Sequence, residues 1–187
     1  MKIFFSLIIV AFSFVHKSNK GSDLKSIASA PSEYQSETHT IGESFGGGII
    51  FYIDNSGKHG LIAAPSDQKK SKWYNGNFVL TSASGTAVGT GQENTMAIIT
   101  AQGPGSYAAS EAHKLELNGH NDWFLPSKDE LNLMFKLKTK IGGFVNPFYW
   151  SSTENSPLYA WAQNFKDGHQ DYGNKNSAPA FRAIRAF

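Results

Sequence analysis

Asp122-Trp-Phe-Leu-Pro-Ser-Lys-Asp-Glu-Leu131 is the stretch on which the fold turns. Ser127 and Glu130 have capping-box spacing, in which each side chain takes the other's backbone N–H, and Pro126 stands just before them. A helix therefore starts here. Leu133, Met134, Leu137 and Ile141 fall on one of its faces, and Gly142-Gly143 ends it. Asp122 is placed to brace the Leu-Pro turn against Arg182 or Arg185 near the end of the chain. Those two arginines alternate to opposite faces of a terminal strand, so one should point inward and require a carboxylate.

Outward from that helix, the pattern is mostly β. Gly48 to Ile53 and Leu61 to Ala64 are short apolar runs separated by Asn55-Ser56-Gly57, the signature of a hairpin. Downstream, Phe148 to Thr153, Ala160 to Phe165, His169 to Tyr172 and the last seven residues read as strands, with a turn at Asp167-Gly168. Between these groups, Lys69 to Gly91 is a polar loop around Trp73 and Tyr74. Asn94 or Thr95 is positioned to cap a helix running to Ala101, and Ser106 to cap another carrying Ala108, Ala112 and Leu115. Strands at both ends with helices between predict an α+β fold in which the terminal strand pairs beside the first hairpin.

A length of 187 residues suffices for one domain plus an appendage, and the 40% hydrophobic and 13% aromatic content supplies a core. From Ile41 onward there are 13 Lys/Arg and 12 Asp/Glu, too even a balance for a broad field that would hold nucleic acid. Ile3 to Val15 is an uncharged apolar run behind one lysine. Its helical length of about 20 Å falls short of a hydrocarbon core of roughly 30 Å, so residues 1–17 read as a signal peptide or an N-terminal anchor. The only expected membrane contact is through this segment, and the expected location is secreted, cell-surface or periplasmic. Residues 18–40 are Ser-rich and polar and read as a disordered linker, with the domain covering 41–187. With no cysteine, disulfides, thiolate metal sites and cysteine nucleophiles are excluded.

Three separated blocks carry a family resemblance: DWFLPSKDEL at 122–131, YWSSTE at 149–154 and FRAIRAF at 181–187. With IGESFGGGIIFYID at 41–54 and HGLIAAPSD at 59–67, they resemble the DUF1566 family, also called the Lcl_C (Legionella collagen-like protein C-terminal) domain. That resemblance implies a C-type-lectin-like fold: a mixed, mostly antiparallel sheet, two to three helices and long loops. It also implies adhesion, with sulfated glycosaminoglycans as ligands. The carboxylate and amide motifs of calcium-dependent lectins are absent, so no metal site is expected and calcium would need other ligands. Formylglycine-generating enzymes have a Leu-Pro helix start similar to Leu125-Pro126-Ser127, but their oxidation uses cysteines.

Candidate ligand-binding residues are Trp73 and Tyr74, read as an exposed stacking platform, and a tip formed by Tyr159, Lys166, Asp167, His169 and Tyr172. Lys69, Lys70 and Lys72 form one basic cluster and Lys136, Lys138 and Lys140 another, with Lys136 and Lys140 at i, i+4; these are the candidate polyanion contacts. Trp123, Trp150 and Trp161 read as core, alongside Asp122, Pro126, Arg182 and Arg185 as structural residues. No hydrolase, zincin or P-loop signature occurs. The expectation is an exported, non-catalytic module that binds glycan or a cell-surface protein. A hydrolase on the same scaffold and a structural, fimbrial-type component are the alternatives.

Overall fold

The computed structural model describes residues 38–187. The expected signal peptide and all but the last three residues of the expected linker lie outside this range. The domain begins slightly earlier than Ile41, because the His39 ring packs 4.1 Å from Phe45 and 5.2 Å from Phe187, and Thr40 donates its N–H to Glu43.

Among the described residues, two antiparallel sheets and four helices form the α+β architecture. The first sheet orders β1 (Ser44–Phe45), β2 (Gly48–Ile53), β3 (Gly60–Ala63) and β7 (Ile184–Ala186) as β1-β2-β3-β7. The terminal strand thus lies beside the first hairpin, as the sequence predicts, with Ile62 opposite Arg185. On the far side of β7, Phe124 and Ile184 exchange two backbone hydrogen bonds, which ties the 122–131 stretch to the chain end. The second sheet is β4 (Phe148–Glu154), β5 (Tyr159–Asn164) and β6 (Gln170–Asn174).

Alternation along the strands divides the core in two. Ile50, Ile62 and Trp150 join Ile98, Tyr107, Ala108, Ala112 and Trp123 in one cluster. This cluster takes the packing faces of α1 (Gly91–Gln102) and α2 (Ala108–His113). Their neighbours Phe51, Leu61 and Tyr149 join the other, which takes Leu131 and Met134 of α3 (Lys128–Lys136) and Ile141 of α4 (Lys138–Ile141).

The helix boundaries refine the sequence reading. The capping box is present: Glu130 accepts the Ser127 N–H at 2.6 Å and Ser127 Oγ accepts the Glu130 N–H. Leu137 adopts φ −107° and interrupts the expected continuous helix, which leaves α3 and α4 as separate pieces and breaks the face meant to carry Lys136 and Lys140 together. Asn94 caps nothing; its buried amide grips Gly85 through both N–H and C=O, so α1 starts earlier at Gly91. Ser106 donates to Glu111 and leaves Tyr107 at the start of α2, and Leu115 lies beyond the helix end.

The inward arginine is Arg182. Its guanidinium is fully buried and donates to Asp67 Oδ1 (2.9 and 2.5 Å) and to the carbonyls of Ala64, Gly142 and Gly143, while stacking 4.1 Å from the Phe144 ring. Gly142 and Gly143 present those carbonyls with φ of 73° and 70°, a backbone region that other residues rarely adopt. Asp67 Oδ2 accepts from the Tyr149 hydroxyl, the Val145 N–H and the Asn146 amide. Burial pushes the Asp67 carboxyl upward, but these donors and Arg182 outweigh it and hold it below the ordinary carboxylate range. Burial first, then the Asp67 carboxylate, push the Tyr149 hydroxyl up to about 12. Arg185 faces the other way and pairs with Asp122 through Nε (2.7 Å) and Nη2 (2.8 Å), so Asp122 braces the turn as expected.

Removing Asp67 leaves Arg182 buried without a counter-charge, so Asp67→Ala is expected to lose about 3–5 kcal/mol of unfolding free energy in a urea titration. Since the folded carboxyl titrates below its unfolded value of about 3.9, its stabilisation is complete above that pH and is lost as pH falls through the folded value. The acid limb of the variant's stability profile should be correspondingly flatter. Glu130 behaves oppositely: burial outweighs its hydrogen bonds and raises its pKa, so its contribution is greatest below about pH 4.3 and declines as pH rises towards the folded value. Glu130→Gln sets an amide N–H against the Ser127 or Gly89 N–H and should cost about 1–3 kcal/mol, with the larger deficit at pH 4 and the smaller at pH 7.

Candidate ligand-binding groove

The second sheet carries the most distinctive surface. Its register places Phe148 opposite Asn164, Trp150 opposite Ala162, and Ala162 opposite Asp171, so these residues and Gly173 share one face. Ala162 and Gly173 bring almost no side chain to the middle of that face. Gly173 must stay small, since a Cβ there would sit 2.9 Å from the Trp150 ring. The result is a groove of two joined compartments that meet over Phe148, Ala162 and Gly173, of about 370 Å³ and 330 Å³. The first is walled by Lys70, Trp150 and the 177–180 segment, the second by Asp167, His169 and Asp171. Phe148 is 49% exposed between them.

The expected tip residues separate. Asp167 and His169 line the groove, whereas Tyr172 borders it but turns its ring to the other face of the sheet, Tyr159 pairs with Asn174 at the far end of the hairpin, and Lys166 borders another concavity beside Lys138. Asp167 Oδ1 accepts the His169 N–H at 2.9 Å and Oδ2 accepts from Asn164 at 3.2 Å, which shapes the turn. The opposite face of the sheet bears an aromatic ladder. The Tyr172 ring lies 5.4 Å from Tyr159 and 6.0 Å from Trp161, and Lys128 Nζ lies 3.5 Å above the Trp161 ring. Trp161 is therefore only partly buried, unlike Trp123 and Trp150.

Trp73 is a correction. Its polar surroundings in sequence predict an exposed platform, but it is fully buried: its indole N–H donates to the Ser151 carbonyl at 2.9 Å, and Lys175 Nζ lies 4.4 Å above its ring. Trp150 answers with a bond to the Ser71 carbonyl at 3.0 Å, so two tryptophans clamp the loop against β4. Tyr74 is also buried, stacked on Phe78, with its hydroxyl donating to Asn176. These rings present no open face to a ligand. Lys175 completes a buried pair with Glu154 at 2.5 Å, and both Glu154 oxygens accept the Thr81 N–H. Burial lowers the Lys175 pKa, against the opposing pull of Glu154.

The lysine clusters also disperse. Lys69 pairs with Glu111 at 3.2 Å, Lys70 borders the groove and Lys72 leans over Tyr74. Lys138 donates to the Phe165 carbonyl at 2.6 Å. Among the described residues no group of three or more His, Asp or Glu side chains is arranged to hold a metal ion. The groove residues Phe148, Ala162, Asp171 and Gly173 were not singled out from sequence. Their signal was the alternation of aromatic and small residues across three neighbouring strands, which becomes informative only once the register is known.

No curated protein matches this chain. A family model described as the Lcl C-terminal domain matches residues 66–185. The match begins after β3, later than the Ile41 start that the sequence resemblance implies, although β3 pairs directly with β7. With that match covering well over half of its length, the chain belongs to the Lcl C-terminal domain family.

Proposed function

We propose that this chain is an exported, non-catalytic binding module that recognises a surface glycan in the groove across β4, β5 and β6. The observation that carries the reading is Phe148, a half-exposed aromatic ring at the junction of two compartments whose floor is otherwise Ala162 and Gly173. Sugars present C–H faces that pack on such rings, and the polar rim of Lys70, Asp167, His169 and Asp171 offers hydrogen bonds to hydroxyls. Membership of the Lcl C-terminal domain family supports a surface-binding type of module. A non-catalytic role is supported by where the buried groups with displaced pKa values are committed. Asp67 and Tyr149 anchor Arg182, Lys175 answers Glu154, and Glu130 holds backbone N–H groups. In this reading the N-terminal apolar run serves export, and no metal or other cofactor takes part. Among the described residues no helix is long and apolar enough to cross a membrane.

A glycan array probed with the purified chain, with and without calcium, tests this reading. Binding that persists in chelator is expected. Phe148→Ala should weaken it about tenfold or more, equivalent to about 1.4 kcal/mol, while Tyr159→Ala at the far end of the hairpin leaves it within about twofold. Loss in Tyr159→Ala with Phe148→Ala unaffected would place the ligand on the aromatic ladder instead.

A further inference from the structure

The groove is electrically asymmetric along its length. Lys70 stands at one end, while Asp167 and Asp171 stand at the other. Among the described residues neither aspartate forms an ion pair. Asp167 accepts only the His169 N–H and the Asn164 amide, and Asp171 Oδ1 accepts the Tyr172 N–H while its Oδ2 accepts nothing. The exposed face of Phe148 lies in the same compartment as these carboxylates.

An aromatic face beside uncompensated carboxylates is the chemistry that holds an ammonium group, since the ring quadrupole and the two negative charges attract it together. A sulfate or carboxylate at this end meets repulsion from both aspartates. A neutral acetamido group gains neither attraction. Lys70 adds direction, because it disfavours an ammonium at its own end.

Resting on the reading of the groove as a glycan site, we propose that it selects glycans carrying free primary ammonium groups, glucosamine-type units. The sugar ring packs on Phe148 and the ammonium lies at the Asp167/Asp171 end. The preferred ligand is therefore cationic, and the preference weakens with salt, because the carboxylates are accessible to water and screening ions.

Calorimetric titration of the purified 187-residue chain tests this with three probes at low ionic strength: a β-1,4-linked glucosamine tetramer, the N-acetylated tetramer and a sulfated glycosaminoglycan tetrasaccharide. The expected result is affinity for the glucosamine tetramer about tenfold or more above the other two, falling as salt rises. Asp171→Asn keeps an acceptor for the Tyr172 N–H and removes the charge, so it should cut the preference at least threefold with an unchanged melting temperature. Phe148→Ala should weaken both tetramers together. Equal binding of the two tetramers, or preference for the sulfated probe, overturns the ammonium inference and leaves the glycan reading standing. Absence of binding by all three overturns the ammonium inference, and blank results on the wider array as well overturn the glycan reading with it.

Discussion

The Arg182–Asp67 pair organises everything around it. A guanidinium removed from water is tolerable only where a carboxylate and several carbonyls meet it, and here those partners come from two distant parts of the chain: Ala64 and Asp67 just after β3, and the Gly142-Gly143 turn after α4. Asp67 in turn fixes Tyr149, the Val145 backbone and the Asn146 side chain, and so the start of β4. One charge pair therefore sets how the second sheet is joined to the end of the first hairpin. The groove, whose floor begins at Phe148, inherits its position from that junction.

A second buried pair, Lys175–Glu154, does the same work at the other end of β4. It holds the polar loop by the Thr81 N–H and the Val79 carbonyl, beside the two tryptophans that clamp Ser71 and Ser151. The long loop between β3 and α1 has no regular strand, yet it is held by directional bonds to β4 and α1 along much of its course. This is why a cysteine-free domain with a long irregular segment keeps a defined surface: polar groups buried in it are paired.

Local signals were legible in the sequence and long-range ones only partly. The capping box at Ser127, the hairpin and the pairing of the terminal strand with it could all be read, because each depends on a few neighbouring residues or on simple alternation. An inward arginine with a carboxylate was also readable, but its identity as Asp67 was not, since 115 positions separate the two. Asn94 and Ser106 failed as caps because their side chains are taken by Gly85 and Glu111, competition that spacing does not reveal. Trp73 misled for the converse reason: Lys72 beside it is exposed while its own ring lies beneath Lys175. The groove was least legible of all, since it arises from small side chains placed side by side by register across three strands.

The separation between Asp67 and Arg182 also governs when the domain can form. Until residues 181–185 have been synthesised, Asp67 lacks its counter-charge, β3 lacks its neighbour and the 122–131 stretch lacks the two hydrogen bonds to Ile184. Closing so long a loop is entropically late and cannot be replaced by local contacts. Ordering of the 60–67 and 122–131 stretches therefore waits on residues 181–185, and without that segment the central lock has no counterpart to close on.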